Sequence, residues 1–183
     1  MTTPTIRPLD PAQADAATAR TLDAVRAKLG LLPNMVTTMA HAPAALNAYV
    51  GFSGAVAGGR LSAKRREAIA LAVAQANACG YCLSAHSAIG SSLGLTPAQQ
   101  AAARDGDADD AADAALLRLA RRIVETDGHP SDADIAAFRA QGFGDGELLE
   151  VVANVALNIY TNYVNHIAGT EIDFPVVPLD RAA

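Results

Sequence analysis

From Ile69 to Ala76 the chain reads Ile-Ala-Leu-Ala-Val-Ala-Gln-Ala, and at helical periodicity that run leaves no broad polar face. A helix over Ala63 to Ala76 is therefore a central element that other helices must surround, not a surface one. Ser62 is placed to accept an unpaired amide at its start. The charged cluster Lys64-Arg65-Arg66-Glu67 occupies its first turns.

The segments on either side supply the surrounding helices. Residues 10–30 read as an amphipathic helix with Leu22, Val25 and Leu29 on one stripe and Gly30 near its end. A short helix carrying Met35, Val36 and Met39 follows Pro33, and Pro43 opens another over about residues 43–57 that Gly58 and Gly59 stop. Thr96 and Pro97 restart the chain in a short helix. Residues 111–126 and a segment beginning at Ser131 are helical, and a final helix spans about residues 147–168. Arg104 to Asp113 reads as an exposed acidic connection and the best place for mobility. Hydrophobic residues make up 51% of the 183 positions and aromatic residues only 4%, so the core has to be built from alanine, leucine and valine, which lets helices approach closely. The expectation is an all-α, compact multi-helix fold in a single domain over residues 1–183, with an extended tail from about residue 169.

Both cysteines of the chain, Cys79 and Cys82, fall directly after the central helix, with His86 four residues beyond the second. If residues 80–92 are helical, the two sulfurs lie one turn apart, within the separation a disulfide accepts, and His86 shares a face with Cys82. Redox chemistry needs a thiolate. A helix N-terminus favours ionisation of Cys79, whereas a nearby imidazole favours Cys82, and the latter is the better candidate for the attacking sulfur. Glu67 either reaches His86 across a sharp turn between Asn77 and Gly80 or belongs to the solvated cluster around it. Competing readings are an incidental pair, a zinc site of Cys79, Cys82, His86 and a fourth ligand, and a purely structural disulfide, whose short loop removes little chain entropy.

The set Glu67, Cys79-Gly80-Tyr81-Cys82 and His86 resembles the core signature of the alkylhydroperoxidase D-like and carboxymuconolactone decarboxylase-like superfamily. The flanking stretches Leu32-Pro33-Asn34-Met35, Tyr160 to His166 and Thr170 to Pro175 resemble its peroxidase-related branch. The resemblance implies the alkylhydroperoxidase D-like helical fold with the CxxC at the start of a central helix. It implies peroxide attack by Cys82, resolution by Cys79 and proton relay by Glu67 and His86. The founding enzyme carries a histidine between its cysteines where this chain has Tyr81. The implied substrates are hydrogen peroxide or small alkyl hydroperoxides, and the implied reductant is a dithiol or lipoyl-type protein. No cofactor or metal is implied, and a homo-oligomer is expected, trimer or hexamer ahead of dimer. A redox-sensing or redox-regulated binding protein, or a decarboxylase-like acid–base enzyme using Glu67 and His86, are the alternatives on this scaffold.

The rest of the sequence narrows the partners. With 14 basic and 19 acidic residues the formal charge is −5, and no basic patch suggests nucleic acid. No apolar run reaches membrane-spanning length and no signal segment is visible, so a cytoplasmic setting is expected. Asn158, Asn162 and Asn165 share one stripe of the last helix. That stripe reads first as solvent-facing, and otherwise as lining a polar pocket or an inter-subunit surface. His41 and His129 read as loop or turn residues. His166 reads as a surface or interface residue of the last helix, or else as bordering the site.

Overall fold

The computed structural model describes residues 4–179. Among them the chain forms α1 (Ala16–Leu29), α2 (Asn34–Met39), α3 (Pro43–Ala57), α4 (Ala63–Ala76), α5 (Gly80–Ser92), α6 (Pro97–Arg104), α7 (Ala111–Glu125), α8 (Asp132–Arg139) and α9 (Asp145–Ala168), with one 3-10 turn at Pro11–Gln13. The fold is all-α, as the residue pattern requires. Residues 1–3 and 180–183 of the expected domain lie outside the described residues.

α4 is central because its sequence permits nothing else. Ile69, Ala70, Leu71, Ala72, Val73 and Ala74 are all buried, and α4 touches α5, α6, α7 and α9. Alanine at alternate positions removes the bulk that would hold these neighbours apart. Ser62 caps it, its Oγ accepting the Arg65 amide at 3.3 Å. Thr96 and Ser131 close capping boxes with Gln99 and Asp134 at the starts of α6 and α8.

Three expectations need correction. The first helix is broken at its start: Asp15 accepts the Ala17 and Thr18 amides at 2.8 and 2.9 Å, so α1 begins at Ala16. Leu29, expected on its buried stripe, is 41% exposed because α1 ends there. The acidic connection shrinks to residues 105–110, and Asp107 pairs with Arg118 at 2.7 Å while Asp110 accepts the Ala112 and Asp113 amides at 3.0 Å. Asp107, within the segment, and Asp110, at its end, are thus both engaged, while Asp105, Asp107, Asp109 and Asp110 are exposed as expected.

Between α4 and α5 the chain reverses in three residues. Cys79 N–H bonds to Ala74 O at 2.8 Å and Ala78 N–H to Gln75 O at 3.1 Å, the paired bonds of a Schellman motif. The motif needs a left-handed residue, and Ala78 supplies it at φ +53° in the place glycine normally takes. From Thr170 the chain runs extended across the start of α5. Asp173 accepts the Asn34 amide at 2.7 Å, Ser84 Oγ accepts the Val177 amide at 3.1 Å, and Ile172, Phe174, Val177 and Leu179 pack on the core.

Leu71→Ala is expected to lower unfolding free energy by about 2–5 kcal/mol, since the cavity it leaves is surrounded by other elements. Ala78→Gly is expected to raise it by up to about 1 kcal/mol by relieving the left-handed alanine. Chemical denaturation of the reduced protein measures both, and a surface-like loss below about 0.5 kcal/mol at Leu71 contradicts a central α4.

Candidate functional site

The reversal at Ala78 lays α5 back along α4, and the charged and sulfur-bearing side chains of the two helices converge. Glu67 Oε2 meets His86 Nδ1 at 2.7 Å, with side chains only 18% and 22% exposed. Of the two readings of Glu67, the structure selects the paired one. An ionised carboxylate only accepts, so Nδ1 carries a hydrogen and Nε2 is left for other work. Burial alone would lower the His86 pKa, but the charge of Glu67 and its hydrogen bond override that and raise it above the ordinary histidine value.

Cys79 and Cys82 are free thiols, both buried. Cys79 is the N-cap of α5, its sulfur accepting the Cys82 amide at 3.3 Å. The helix terminus thus acts on the first sulfur, yet ionisation favours the second. The Cys79 thiol donates to Cys82, which pushes its own pKa up, and burial adds to that. Cys82 is lowered to about 7, first by that hydrogen bond from Cys79, against the penalty of burial, then by the positive charge of His86 and by amides from α9.

Those amides are the asparagine stripe. Asn158, Asn162 and Asn165 are all buried, so the stripe faces the interior, and the solvent-facing reading is overturned. Asn165 Nδ2 lies 3.2 Å from Cys82 Sγ and 3.3 Å from Met35 Sδ. Asn162 Oδ1 accepts from Asn77 Nδ2 at 2.9 Å, and Asn162 Nδ2, buried without a conventional partner, adds to the lowering at Cys82. An orphaned donor beside a sulfur is costly when that sulfur is neutral and satisfied when it is an anion. Period and residue type placed these amides on one face; only the packing of α9 against α5 shows which sulfur they meet.

A cavity of about 280 Å³ reaches this group, lined by Cys82, His86 and Glu67 together with Tyr49, Arg66 and Asn158. Tyr49 reaches the cavity from α3, and no motif in the sequence gives it a part in the site. Burial raises its pKa to about 12, followed by the charges of Glu67 and Cys82, so its hydroxyl stays neutral beside them. Tyr81 is 5% exposed; its hydroxyl accepts the Met35 amide at 3.2 Å, and its ring stands edge-on to Phe174 at 5.8 Å. It fixes the junction of α5, α2 and the C-terminal segment, and burial raises its pKa further from neutrality. His41 bonds to Arg7 O at 3.0 Å, His129 to Thr126 O at 3.2 Å, and His166 is exposed; none lines the cavity. Among the described residues, no three His, Cys, Asp or Glu side chains converge as a metal site.

Residues 43–126 match the carboxymuconolactone decarboxylase family. The fold is shared along nearly the whole chain with a peroxidase-related protein from Ralstonia eutropha JMP134 with an alkylhydroperoxidase AhpD core, at 25% identity, TM-score 0.83 and coverage of 93% of this chain and 94% of that one. A peroxidase-related protein from Silicibacter sp. TM1040 is similar at 26% identity, TM-score 0.80 and the same two coverages. A cysteine-to-alanine variant of the debrominase Bmp8, in complex with 2,3,4-tribromopyrrole, shares the fold at 21% identity and TM-score 0.81, over 94% of this chain and 93% of that one. No curated protein matches the sequence.

Alkylation of the reduced protein by iodoacetamide, mapped by mass spectrometry, is expected to modify Cys82 with a midpoint at about pH 7. Asn165→Ala is expected to raise that midpoint by about one pH unit, the size of one charge-assisted hydrogen bond. Glu67→Gln is expected to raise it too, because His86 loses the carboxylate that keeps it charged. A wild-type midpoint at the ordinary thiol value would remove the thiolate from the site.

Proposed function

Because this chain belongs to the alkylhydroperoxidase D-like and carboxymuconolactone decarboxylase-like superfamily, we propose that it is a thiol-dependent peroxidase in which Cys82 attacks and Cys79 resolves. The observation that carries the reading is the convergence of Asn165, His86 and the Cys79 thiol on Cys82, the sulfur that lines the cavity.

The Cys82 thiolate attacks the terminal oxygen of a hydroperoxide. An S–O bond forms, the O–O bond breaks, and the departing alkoxide takes a proton from the His86 imidazolium, leaving an alcohol and a Cys82 sulfenic acid. Glu67 holds the ring and its charge through the step. Cys79 then attacks the Cys82 sulfur; its proton leaves with the hydroxyl as water, and a Cys79–Cys82 disulfide results. A dithiol, either a small one or a lipoyl-type protein, returns two electrons by exchange and is itself oxidised to a disulfide. The spacing of one helical turn favours rapid resolution, which protects the sulfenic acid from further oxidation.

The wider setting follows the same reading. A cytoplasmic location keeps the pair reduced between turnovers. No helix among the described residues is long and apolar enough to cross a membrane. A homo-oligomer, trimer or hexamer, is supported by the apolar residues that α9 leaves outside: Leu149 at 68%, Val152 at 43%, Tyr163 at 56% and Ile167 at 69% exposure. A second reading, reductive removal of a halogen from an aromatic ring by the same dithiol, is favoured by a cavity larger than hydrogen peroxide requires. The alternatives without turnover or without thiols make less use of what is present: a sensor needs no organic-sized cavity, and an acid–base enzyme needs no second sulfur.

Peroxide-dependent oxidation of a dithiol measures the cycle. Cys82→Ser is expected to abolish turnover, and Glu67→Gln and His86→Gln to slow it by about 10²- to 10⁴-fold, the usual contribution of a positioned proton donor. Cys79→Ser is expected to stop after one equivalent with a trappable sulfenic acid at Cys82. Unchanged turnover in the Cys82 variant would end the reading, while bromide release from tribromopyrrole with no peroxide consumption would select the second.

A further inference from the structure

The ionisable side chains around the cavity do not balance. Its anions are the Glu67 carboxylate, engaged by His86, and the Cys82 thiolate, engaged by Asn165 and the Cys79 thiol. Two cations, Lys28 at the end of α1 and Arg66 in the second turn of α4, also line it. Among the described residues neither makes an ion pair; Arg66 donates one nitrogen to the Leu61 carbonyl, which tethers the guanidinium while its remaining donors stay available. In a molecule of net charge −5 this is a locally positive wall. The rest of the lining is largely apolar, with Leu29, Leu31, Val56 and Ile89 among its side chains.

We propose that the cavity takes an amphiphilic organic carboxylate, its anionic end held by Arg66 with Lys28 and its apolar body directed toward Cys82. The proposal deepens the peroxidase reading and rests on it for the reacting group: the substrate class is a hydroperoxide carrying a carboxylate at its far end. Size argues the same way. At roughly 30 Å³ for each water-sized group, a volume of about 280 Å³ holds about nine of them, several times what hydrogen peroxide fills. Charge does the rest, because an arginine fork pairs with a carboxylate in two parallel hydrogen bonds, and a neutral chain of the same length offers it nothing. Leu29 and Leu31, at 41% and 42% exposure, border the cavity and give a chain apolar surface to cover. The exposed leucine at the end of α1 thereby acquires a use.

An inert ligand tests this without relying on turnover. Reduced protein is alkylated at Cys82 with iodoacetamide in the presence of octanoate or octan-1-ol, each variant referred to its own unprotected rate. Octanoate is expected to protect at a concentration at least about tenfold below octanol, the worth of one charge-assisted contact. That advantage is expected to collapse to less than about threefold in Arg66→Gln, to return in part in Arg66→Lys, and to shrink in Lys28→Gln, so that loss of fold in one variant leaves two others to decide. Equal protection by octanol, or an octanoate advantage that survives both glutamine substitutions, overturns the proposal. Hydroperoxide turnover, assayed in parallel, reads the peroxidase cycle alone: a protein that prefers octanoate yet consumes no hydroperoxide keeps its anion-binding cavity and loses only the assigned chemistry.

Discussion

The reversal at Asn77-Ala78-Cys79 is the constraint on which the site depends. The turn folds α5 back onto α4, and that contact places Glu67, about two and a half turns before the end of α4, against His86, nearly two turns into α5. The Schellman bonds occupy the last carbonyls of α4 that would otherwise be buried unpaired, which offsets the strain of a left-handed alanine. The same three residues serve two further ends. Asn77 donates to Asn162, tying the turn to α9, and Cys79 becomes the cap of α5, so its sulfur is oriented by the backbone.

A helix terminus acts on whichever group sits over its first amides, and here that group is Cys79. Yet the two sulfurs share a proton between them, and the sharing is decided by what else each touches. Cys82 has the Asn165 amide at 3.2 Å and the charge of His86, whereas Cys79 gains chiefly its own cap bond. Side chains from α5 and α9 thus outweigh the terminus of α5 itself. The same arrangement keeps the two sulfurs in direct contact, the Cys79 thiol donating its hydrogen bond to Cys82.

Local chemistry was legible in the residues; long-range packing was not. The helices α3 and α4 are readable to their ends because proline, glycine and serine mark them, and α4 is readable as central because its apolar positions surround the axis. The 3-10 start before α1 escapes periodicity because a single Asp15 side chain sets where the helix begins. The asparagine stripe shows the opposite limit. Spacing identifies a common face but carries no information on what that face meets, and amides are usually exposed, so Asn165 emerges as a partner of Cys82 only from the docking of α9. Arg66 hides in the same way, as one charge in a charged run until the cavity behind it is seen.

Burial of the thiolate and openness of the cavity place opposite demands on one atom. Cys82 is 2% exposed, and removing a charge from water penalises it heavily. Hydrogen-bond donors fixed before the charge forms compensate without having to reorganise, and Asn162 Nδ2, otherwise unsatisfied, is such a donor. The cost of that pre-arrangement falls on the neutral state, where the amide has no partner, and so the protein gains by keeping the sulfur ionised. The cavity beside the sulfur is otherwise lined largely by apolar side chains, with charge confined to Glu67, His86, Arg66 and Lys28. The buried asparagines, a peculiarity if α9 were judged by helix propensity, are therefore among the groups that favour the ionised form of Cys82 inside a core of alanine, leucine and valine.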